Sequence, residues 1–158
     1  MTSRRRQTVR PEKIVSGGQT GVDRAALDVA IALGIPHGGW CPRGRRAEDG
    51  QIPECYRLRE TDSAEYAERT ERNVIDSDAT LILCGGQPAG GTLLTLRLAE
   101  KHEKPCWVVD LDRPCGPDVV RRWLEKASVR TLNIAGPRES QRPGVGAAAR
   151  SFLTALFS

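Results

Sequence analysis

The sequence contains two glycine-rich segments, each placed directly before a stretch of helical character. The first segment is Gly17, Gly18, Gln19, Thr20 and Gly21, and the second runs from Gly85 to Gly90, Gly91 and Thr92. Backbone N–H groups and the positive end of a helix dipole suit such turns to phosphate or another oxyanion. Neither segment matches GxGxxG or is followed by GK[ST], so neither a dinucleotide fingerprint nor a Walker A loop is present. The sequence therefore predicts an anion site and gives no support for ATP hydrolysis.

Four arginines lie in two further loops. They are Arg43, Arg45 and Arg46, which follow a predicted strand, and Arg138 in the segment 136–140. The planar guanidinium group suits bidentate contacts with phosphate. For Arg45 and Arg46 an equally valid interpretation is pairing with the nearby Glu48 and Asp49.

Asp23 and Cys41 allow more than one interpretation. At the start of a predicted helix, a capping role for Asp23 comes first, because an acidic side chain is favourable there. The alternative is a contact from its carboxylate to a ribose or to the N–H groups of a heterocycle. Cys41 lies in the arginine-containing loop, where nearby positive charge would stabilise its thiolate.

The cysteine and histidine content argues against a metal centre. The five cysteines form no CxxC pair, and the two histidines belong to no HExxH motif, so no zinc site is predicted. An odd number of cysteines also favours free thiols in a reducing compartment over a disulfide framework.

Strand and helix patterns alternate along the whole chain. Strands are predicted at 13–16, 35–40, 56–60, 79–84, 105–110 and 129–135, and helices at 23–33, 62–75, 92–103, 117–127 and 145–157. Gly34 ends the first helix, Asp62 and Glu65 suggest a capping box, and Pro117 suits a first helical position. This order predicts an α/β fold, a Rossmann-like three-layer sandwich with a mostly parallel sheet. In such a sheet the strand-to-helix loops, which carry the glycines and arginines, share the carboxyl edge.

Length and charge predict one domain with a basic tail. The 158 residues suit a single core, and no apolar run approaches a membrane span or a signal peptide, so a cytoplasmic location is expected. The net charge of +4 comes from Arg4, Arg5, Arg6 and Arg10, because the rest of the chain balances 20 basic against 20 acidic residues. We expect residues 1–10 to be a disordered tail and residues 11–158 to form a ligand-binding domain. The neutral body argues against nucleic acid as a partner.

Several motifs together resemble the putative molybdenum carrier family. They are GGQTGVDRAALD at 17–28, GWCPRGRRAEDG at 39–50, RTERNV at 69–74, SDAT at 77–80, GGT at 90–92 and GPRES at 136–140. The family is in turn similar to a wider group of Rossmann-like nucleotide-ligand sensors, which includes the Lonely Guy phosphoribohydrolases and the DNA-processing protein A fold.

The resemblance implies a carrier that holds molybdenum cofactor, a phosphorylated pterin dithiolene, without converting it. A nucleotide is the alternative ligand. On this basis the 17–21 and 90–92 loops would take the phosphate, and Arg43, Arg45, Arg46 and Arg138 would surround the anionic ligand. The family's carriers are oligomeric, and molybdoenzymes would be possible partners.

A phosphoribohydrolase is the alternative from a different class. The Lonely Guy enzymes carry a catalytic glutamate three residues after the threonine of their glycine loop, and here that position is Thr95. A hydroxyl cannot replace a carboxylate in acid–base or oxocarbenium-stabilising chemistry. Such an enzyme would need a displaced carboxylate, such as Asp23 or Glu139. A third hypothesis, DNA binding through the basic tail, is disfavoured by the neutral body.

The predicted helix at 92–103 is apolar on more than one face. Its apolar residues are Leu93, Leu94, Leu96, Leu98 and Ala99. A second subunit would cover the additional face, which predicts a homo-oligomer, a dimer or a tetramer. The alternative is a cover from within the chain, by the closing helix or by the segment 43–53.

Overall fold

A computed structural model describes residues 9–158, so most of the predicted tail lies outside the described residues. Its elements, in chain order, are β1 (Lys13–Val15), α1 (Val22–Leu33), β2 (His37–Gly38), β3 (Trp40–Cys41), β4 (Arg46–Ala47), β5 (Gly50–Gln51), β6 (Arg59–Glu60), α2 (Tyr66–Ile75), β7 (Ala79–Cys84), α3 (Gly90–Lys101), β8 (Cys106–Asp110), α4 (Pro117–Lys126), β9 (Thr131–Ala135) and α5 (Val145–Phe157). Arg10, within the predicted tail, donates hydrogen bonds to the carbonyls of Phe157 and Leu33.

Five strands form the main sheet in the order β2-β1-β9-β7-β8, and every pairing in it is parallel. Helices α1, α4 and α5 pack on one face, where their apolar side chains join Leu81, Leu83, Leu132 and Ile134 in one core. On the other face α3 packs on β7 and β8, and α2 packs on α3 and on β3. The predicted α/β three-layer sandwich is confirmed.

Local signals account for the central elements. All six residues of β7 are buried, as expected for an inner parallel strand covered on both faces. Gly34 ends α1 in the left-handed conformation, and its N–H bonds to carbonyls of the last turn. Pro117 is the first residue of α4, where its missing N–H costs nothing.

The segment 35–60 departs from the sequence-based prediction. The single strand at 35–40 is wrong, because the chain bends at Gly39 (φ +127°) and divides into β2 and β3. A Cβ at Gly39 would lie 2.4 Å from the carbonyl oxygen of Ser16, so only glycine fits. Beyond the bend β3 pairs with β6, which is shorter than predicted and lies outside the main sheet. The hairpin of β4 and β5 was not predicted, because two-residue strands give no periodicity.

Two helix starts also differ from the prediction. The capping box at Asp62 and Glu65 is wrong: α2 begins at Tyr66, and its N-cap residue Glu65 makes no side-chain capping bond. Instead Ser63 Oγ accepts the N–H of Glu65, while the N–H of Ser63 donates to Glu68, which orders a turn before the helix. Helix α3 begins two residues early, so Gly90 and Gly91 belong to its first turn.

Candidate functional site

Loops from three strands surround a cleft at the carboxyl edge of the main sheet. They follow β1, β7 and β9, which lie in the middle of the sheet. Helix α2 forms the remaining wall, and the cleft encloses about 200 Å³. Its lining residues are Gly17, Gln19, Asp23, Tyr66, Ala67, Arg69, Thr70, Asn73, Gly91, Thr92, Leu94, Thr95, Asn133, Ala135, Gly136, Arg138 and Gln141.

The structure brings together six of the residues that were singled out from the sequence. These are Gly17, Gln19, Asp23, Gly91, Thr92 and Arg138. The other seven, which do not line the cleft, are Gly18, Thr20, Gly21, Arg43, Arg45, Arg46 and Gly90. Four of these seven, Gly18, Thr20, Gly21 and Arg45, make contacts that pack the loops near the cleft.

A buried ion pair closes the floor of the cleft. Arg69 Nη1 lies 3.3 Å from Asp23 Oδ2, and both side chains are at most about one-tenth exposed. The same carboxylate oxygen accepts the backbone N–H of Gln19 at 3.2 Å, so Asp23 holds the first glycine loop rather than capping a helix N–H. Burial raises the pKa of Asp23, and the guanidinium of Arg69 opposes that rise.

Arg69 was not assigned a role from the sequence, although it lies in a motif quoted for the resemblance. Its guanidinium lies directly over Gly17, where a Cβ would fall 1.7 Å from Nη1. It also lies 5.3 Å from the centre of the Tyr66 ring, one turn earlier on α2. Asn73 follows one turn later and is likewise buried. A polar pair at i and i+4 on a buried helix face was the signal that could have identified α2 as a wall of the site.

The first turn of α3 opens into the cleft. The N-cap residue Ala89 makes no side-chain capping bond, and Gly91 and Thr92 line the cavity. A Cβ at Gly91 would meet nothing within 4 Å, so space lies in front of this turn. The start of a helix carries N–H groups that lack intrahelical acceptors together with the positive end of the dipole. This turn is therefore the part of the cleft best suited to an anion.

The first glycine loop, by contrast, is closed by packing. A Cβ at Gly21 would lie 2.5 Å from the carbonyl oxygen of Pro137, and one at Gly18 would lie 2.7 Å from Leu58. Both glycines have positive φ. Thr20 Oγ1 accepts the N–H of Glu139, which ties this loop to the loop after β9. These contacts show that Gly18, Thr20 and Gly21 pack the first glycine loop against its neighbours and do not line the cleft.

The loop arginines have different partners. Arg45 donates to the carbonyls of Ile52, Pro53 and Tyr56 and so holds the segment after β5. Arg46 lies 4.9 Å from the centre of the Tyr66 ring and does not line the cleft. Arg43 is exposed.

Arg138 is the loop arginine that reaches the cleft. Its Nε lies 3.6 Å from a carboxylate oxygen of Glu48, on the β4–β5 turn. Glu48 also contacts the hydroxyls of Thr20 and Ser140. Burial acts to raise the pKa of Glu48, but the hydrogen bonds from Ser140 and Thr20 outweigh it and lower the pKa. The pairing predicted between Arg45 or Arg46 and the acids Glu48 and Asp49 is wrong: Glu48 pairs with Arg138, and Asp49 pairs with Arg24.

Three positions bear on the enzymatic alternative: Thr95, where the Lonely Guy glutamate would stand, and the carboxylates Glu139 and Asp23. Thr95 does line the cleft, and its hydroxyl donates to the carbonyl of Gly91 within α3. Glu139 lies outside the cleft lining and accepts the N–H groups of Gly144 and Gly146 at the start of α5. Asp23 is thus the one carboxylate among the lining residues of the described chain.

The Cys41 thiol does not have the predicted character. Its side chain is fully buried beside β6, and burial raises its pKa more than the nearby Arg45 lowers it. The expectation of a stabilised thiolate is therefore wrong.

In residues 9–158 no group of three or more His, Cys, Asp or Glu side chains is placed to hold a metal ion. The same residues contain no helix that combines the length and apolar character needed to cross a membrane.

Comparison with known proteins agrees with the fold and with the motif-based resemblance. A crystal structure at 1.45 Å resolution, of a putative molybdenum carrier protein from Syntrophus aciditrophicus SB, is 46% identical to this chain with a TM-score of 0.91. The match covers 94% of this chain and 96% of that one. No curated protein matches the chain significantly. The resemblance to the putative molybdenum carrier family is confirmed. Residues 14–157 match the family model of the circularly permuted YpsA SLOG family, and the chain belongs to that family.

Proposed function

We propose that this protein binds a phosphorylated heterocyclic ligand in the cleft and carries it without chemical conversion. Molybdenum cofactor is the first candidate and a nucleotide is the second. The observation that carries the proposal is the uncapped first turn of α3, which opens at Gly91 and Thr92 into a cavity that also contains Arg69 and Arg138.

The phosphate would lie against this first turn. Helix N-termini bind phosphate because free N–H groups and the dipole both favour negative charge. Arg138 stands on the opposite loop, and its side chain is about one-third exposed, so its guanidinium is accessible to a ligand. A phosphate would compete with Glu48 for this arginine.

The rest of the cleft suits a polar ring. The Tyr66 ring offers a flat surface, while Gln19, Asn133 and Gln141 contribute amide groups that can pair with ring heteroatoms. A volume of about 200 Å³ is below the usual range of about 300–1,000 Å³ for ligand pockets. We infer that the phosphate end and one ring are enclosed while the remainder of a larger ligand extends outward. The similarity to a protein described as a putative molybdenum carrier supports molybdenum cofactor as the first candidate.

Ligand titration with a blocked variant tests this proposal. Gly91→Leu would project a side chain into the cavity from a position where its Cβ meets nothing within 4 Å, so we expect the fold to be retained and binding to fall at least tenfold. Gly116→Leu is the matched control, because its Cβ is equally unobstructed and it lies outside the cleft. Gly18 is a poorer choice for such a test because its positive φ and its contact with Leu58 would strain the fold. Absence of saturable binding of both molybdenum cofactor and nucleotides to the unmodified protein would refute the proposal.

A nucleotide phosphoribohydrolase is the second candidate function, and Asp23 is the observation that favours it. This carboxylate lines the cleft, and burial raises its pKa, as in many general acids. Its ion pair with Arg69 and its bond to Gln19 support a positioning role instead. Incubation with nucleoside monophosphates distinguishes the two: release of free base that is lost in Asp23→Asn would establish the enzyme.

The proposal extends to assembly and location. Helix α3 buries Thr92, Thr95 and Ala99, whereas Leu94 is exposed and Leu93, Leu96 and Leu98 are half-buried. We propose a homo-oligomer built from dimers with this helix near an interface.

The five free cysteines suit a reducing compartment, so the cytoplasm is the proposed location, where molybdoenzymes would receive the carried ligand.

A further inference from the structure

A second cavity, of about 260 Å³, lies beside the edge strand β2, where the chain bends away from the main sheet. Lys13 and Thr131, the first residues of β1 and β9, form part of its lining, whereas the cleft described above lies at the opposite ends of these strands. Asn73 lines both cavities and separates them. None of the functions proposed above uses this second cavity.

Positive charge dominates its lining. Lys13, Arg57 and Arg59 lie around it, and within residues 9–158 none of the three has an acidic group within 4 Å. The one acidic lining residue is Asp76, whose carboxylate accepts the indole N–H of Trp40 at 2.7 Å. Several cations without acidic partners around one concave surface create a field that concentrates anions.

All three residues are exposed, and the side chains of Lys13 and Arg59 lie against neighbouring groups. The Lys13 side chain lies across Gly38, where a Cβ would fall 2.9 Å from Lys13 Cε, so a larger residue would displace it. The Arg59 guanidinium lies 5.8 Å from the centre of the Trp40 ring.

A hydrogen bond to its ring orients the His37 side chain in the lining of the second cavity. Its Nε2 accepts the backbone N–H of Arg57 at 3.2 Å, so the neutral ring carries its proton on Nδ1. Burial and the charges of Arg57 and Lys13 lower its pKa. The imidazole therefore reports the electrostatic potential of the cavity.

We infer that this cavity binds a small dianion of the phosphate class, either inorganic phosphate or a phosphate monoester. Lysine and arginine side chains supply the charge-assisted hydrogen bonds that such an anion requires. The lining is polar and offers little apolar surface to a large ring, which favours a compact ligand. A cavity of about 260 Å³ also suits a small molecule better than the extended backbone of a nucleic acid.

Calorimetric titration with inorganic phosphate tests the inference in a protein whose cleft is blocked. In Gly91→Leu we expect one phosphate site to remain, because the second cavity is untouched. In the same background Lys13→Gln and Arg57→Gln should each weaken phosphate binding about tenfold. Arg150→Gln is the control, an exposed arginine of α5 outside both cavities, and should change nothing. Equal affinity in Lys13→Gln and Arg150→Gln would overturn the inference.

The His37 imidazole gives an independent readout by NMR. A bound dianion stabilises the imidazolium, so phosphate should raise the pKa of His37. The ring signals of His102, which lies beside Glu71 and outside both cavities, are the control and should not respond to phosphate. A larger effect with glycerol phosphate than with inorganic phosphate would identify an ester as the ligand, and the reverse would identify the free ion. No shift at millimolar phosphate, or tighter binding of an oligonucleotide than of either phosphate, would refute the inference. Both results are independent of ligand binding in the cleft.

Discussion

At the scale of single residues, the Asp23–Arg69 pair determines the electrostatics of the cleft. The carboxylate is buried, and its cationic partner Arg69 lies on α2, 46 positions away in the sequence. An unpaired buried charge is far more costly than a buried pair. Arg69 thus serves the fold as well as any ligand, which explains why a bulky cation lies directly over Gly17.

Replacement of Arg69 should therefore destabilise the protein strongly. We expect Arg69→Gln to lower the free energy of unfolding by about 3–5 kcal/mol at neutral pH, because Asp23 loses its counter-charge. Arg72→Gln, on an exposed position of the same helix over the Trp40 ring, should cost less than about 1 kcal/mol. Urea denaturation measures both values. Equal losses in the two variants would show that the pair contributes nothing specific.

The loss in Arg69→Gln should also depend on pH. Burial raises the folded pKa of Asp23 above its ordinary value of 3.8, and removal of the cation raises it further. The folded state then binds a proton more readily than the unfolded state, so its stability increases as the pH falls from neutral toward 4. The difference from the unmodified protein should shrink over that interval. The double variant Asp23→Asn with Arg69→Gln should recover stability at neutral pH without recovering ligand binding.

At the scale of elements, the bend at Gly39 separates the main sheet from the small sheet of β3 and β6. The bend moves Trp40 and Cys41 out of register with β1, so the arginine-containing loop that follows lies beside Tyr66 rather than over the cleft. The bend at Gly39 thus leads the arginine-containing loop at 43–46 away from the cleft.

Substitution at this bend should reveal the close approach. Gly39→Ala would place a Cβ 2.4 Å from a backbone oxygen at positive φ, and we expect it to cost more than about 3 kcal/mol. Gly44→Ala is the matched control, since Gly44 also has positive φ but open space around it, and should cost about 1 kcal/mol. Thermal unfolding compares the two. A similar loss of stability in both variants would mean that the positive φ accounts for the whole effect and that the close contact at Gly39 contributes nothing.

At the scale of the whole molecule, the outer surface of α3 bears on the proposed assembly. The helix packs on α2, β7 and β8, and neither the closing helix α5 nor the strands β4 and β5 of the segment 43–53 are among its main contacts. The half-buried leucines Leu93, Leu96 and Leu98 leave apolar area that a second subunit would cover.

Assembly is tested by light scattering. We expect a mass that is a multiple of 17.3 kDa at micromolar concentration, and a reduced mass for Leu98→Glu. Ile31→Glu is the control, because Ile31 is a more exposed apolar residue, at 47%, on a different helix. A monomeric unmodified protein would refute the homo-oligomer, and an equal change in both variants would place the interface elsewhere.

The sequence by itself determined the chain order of the five helices, the parallel main sheet and the edge at which the cleft lies, but not the short strands between residues 40 and 60. These features follow from short-range signals, such as the buried run of β7, the glycine that ends α1 and the proline that begins α4. Gly91 and Thr92 could be placed in the cleft for the same reason, since the turn after an inner parallel strand lies at the carboxyl edge.

Only the tertiary structure decided which charged side chains face the cleft. Arg45 and Arg138 both stand in polar loops, yet one holds carbonyls of its own loop and the other reaches the cavity. Arg69 follows a helical pattern that says nothing about Asp23. Such pairings depend on elements that are far apart in sequence, and a local pattern contains no information about the distance between them. Long side chains meet where the packing of whole elements brings them together.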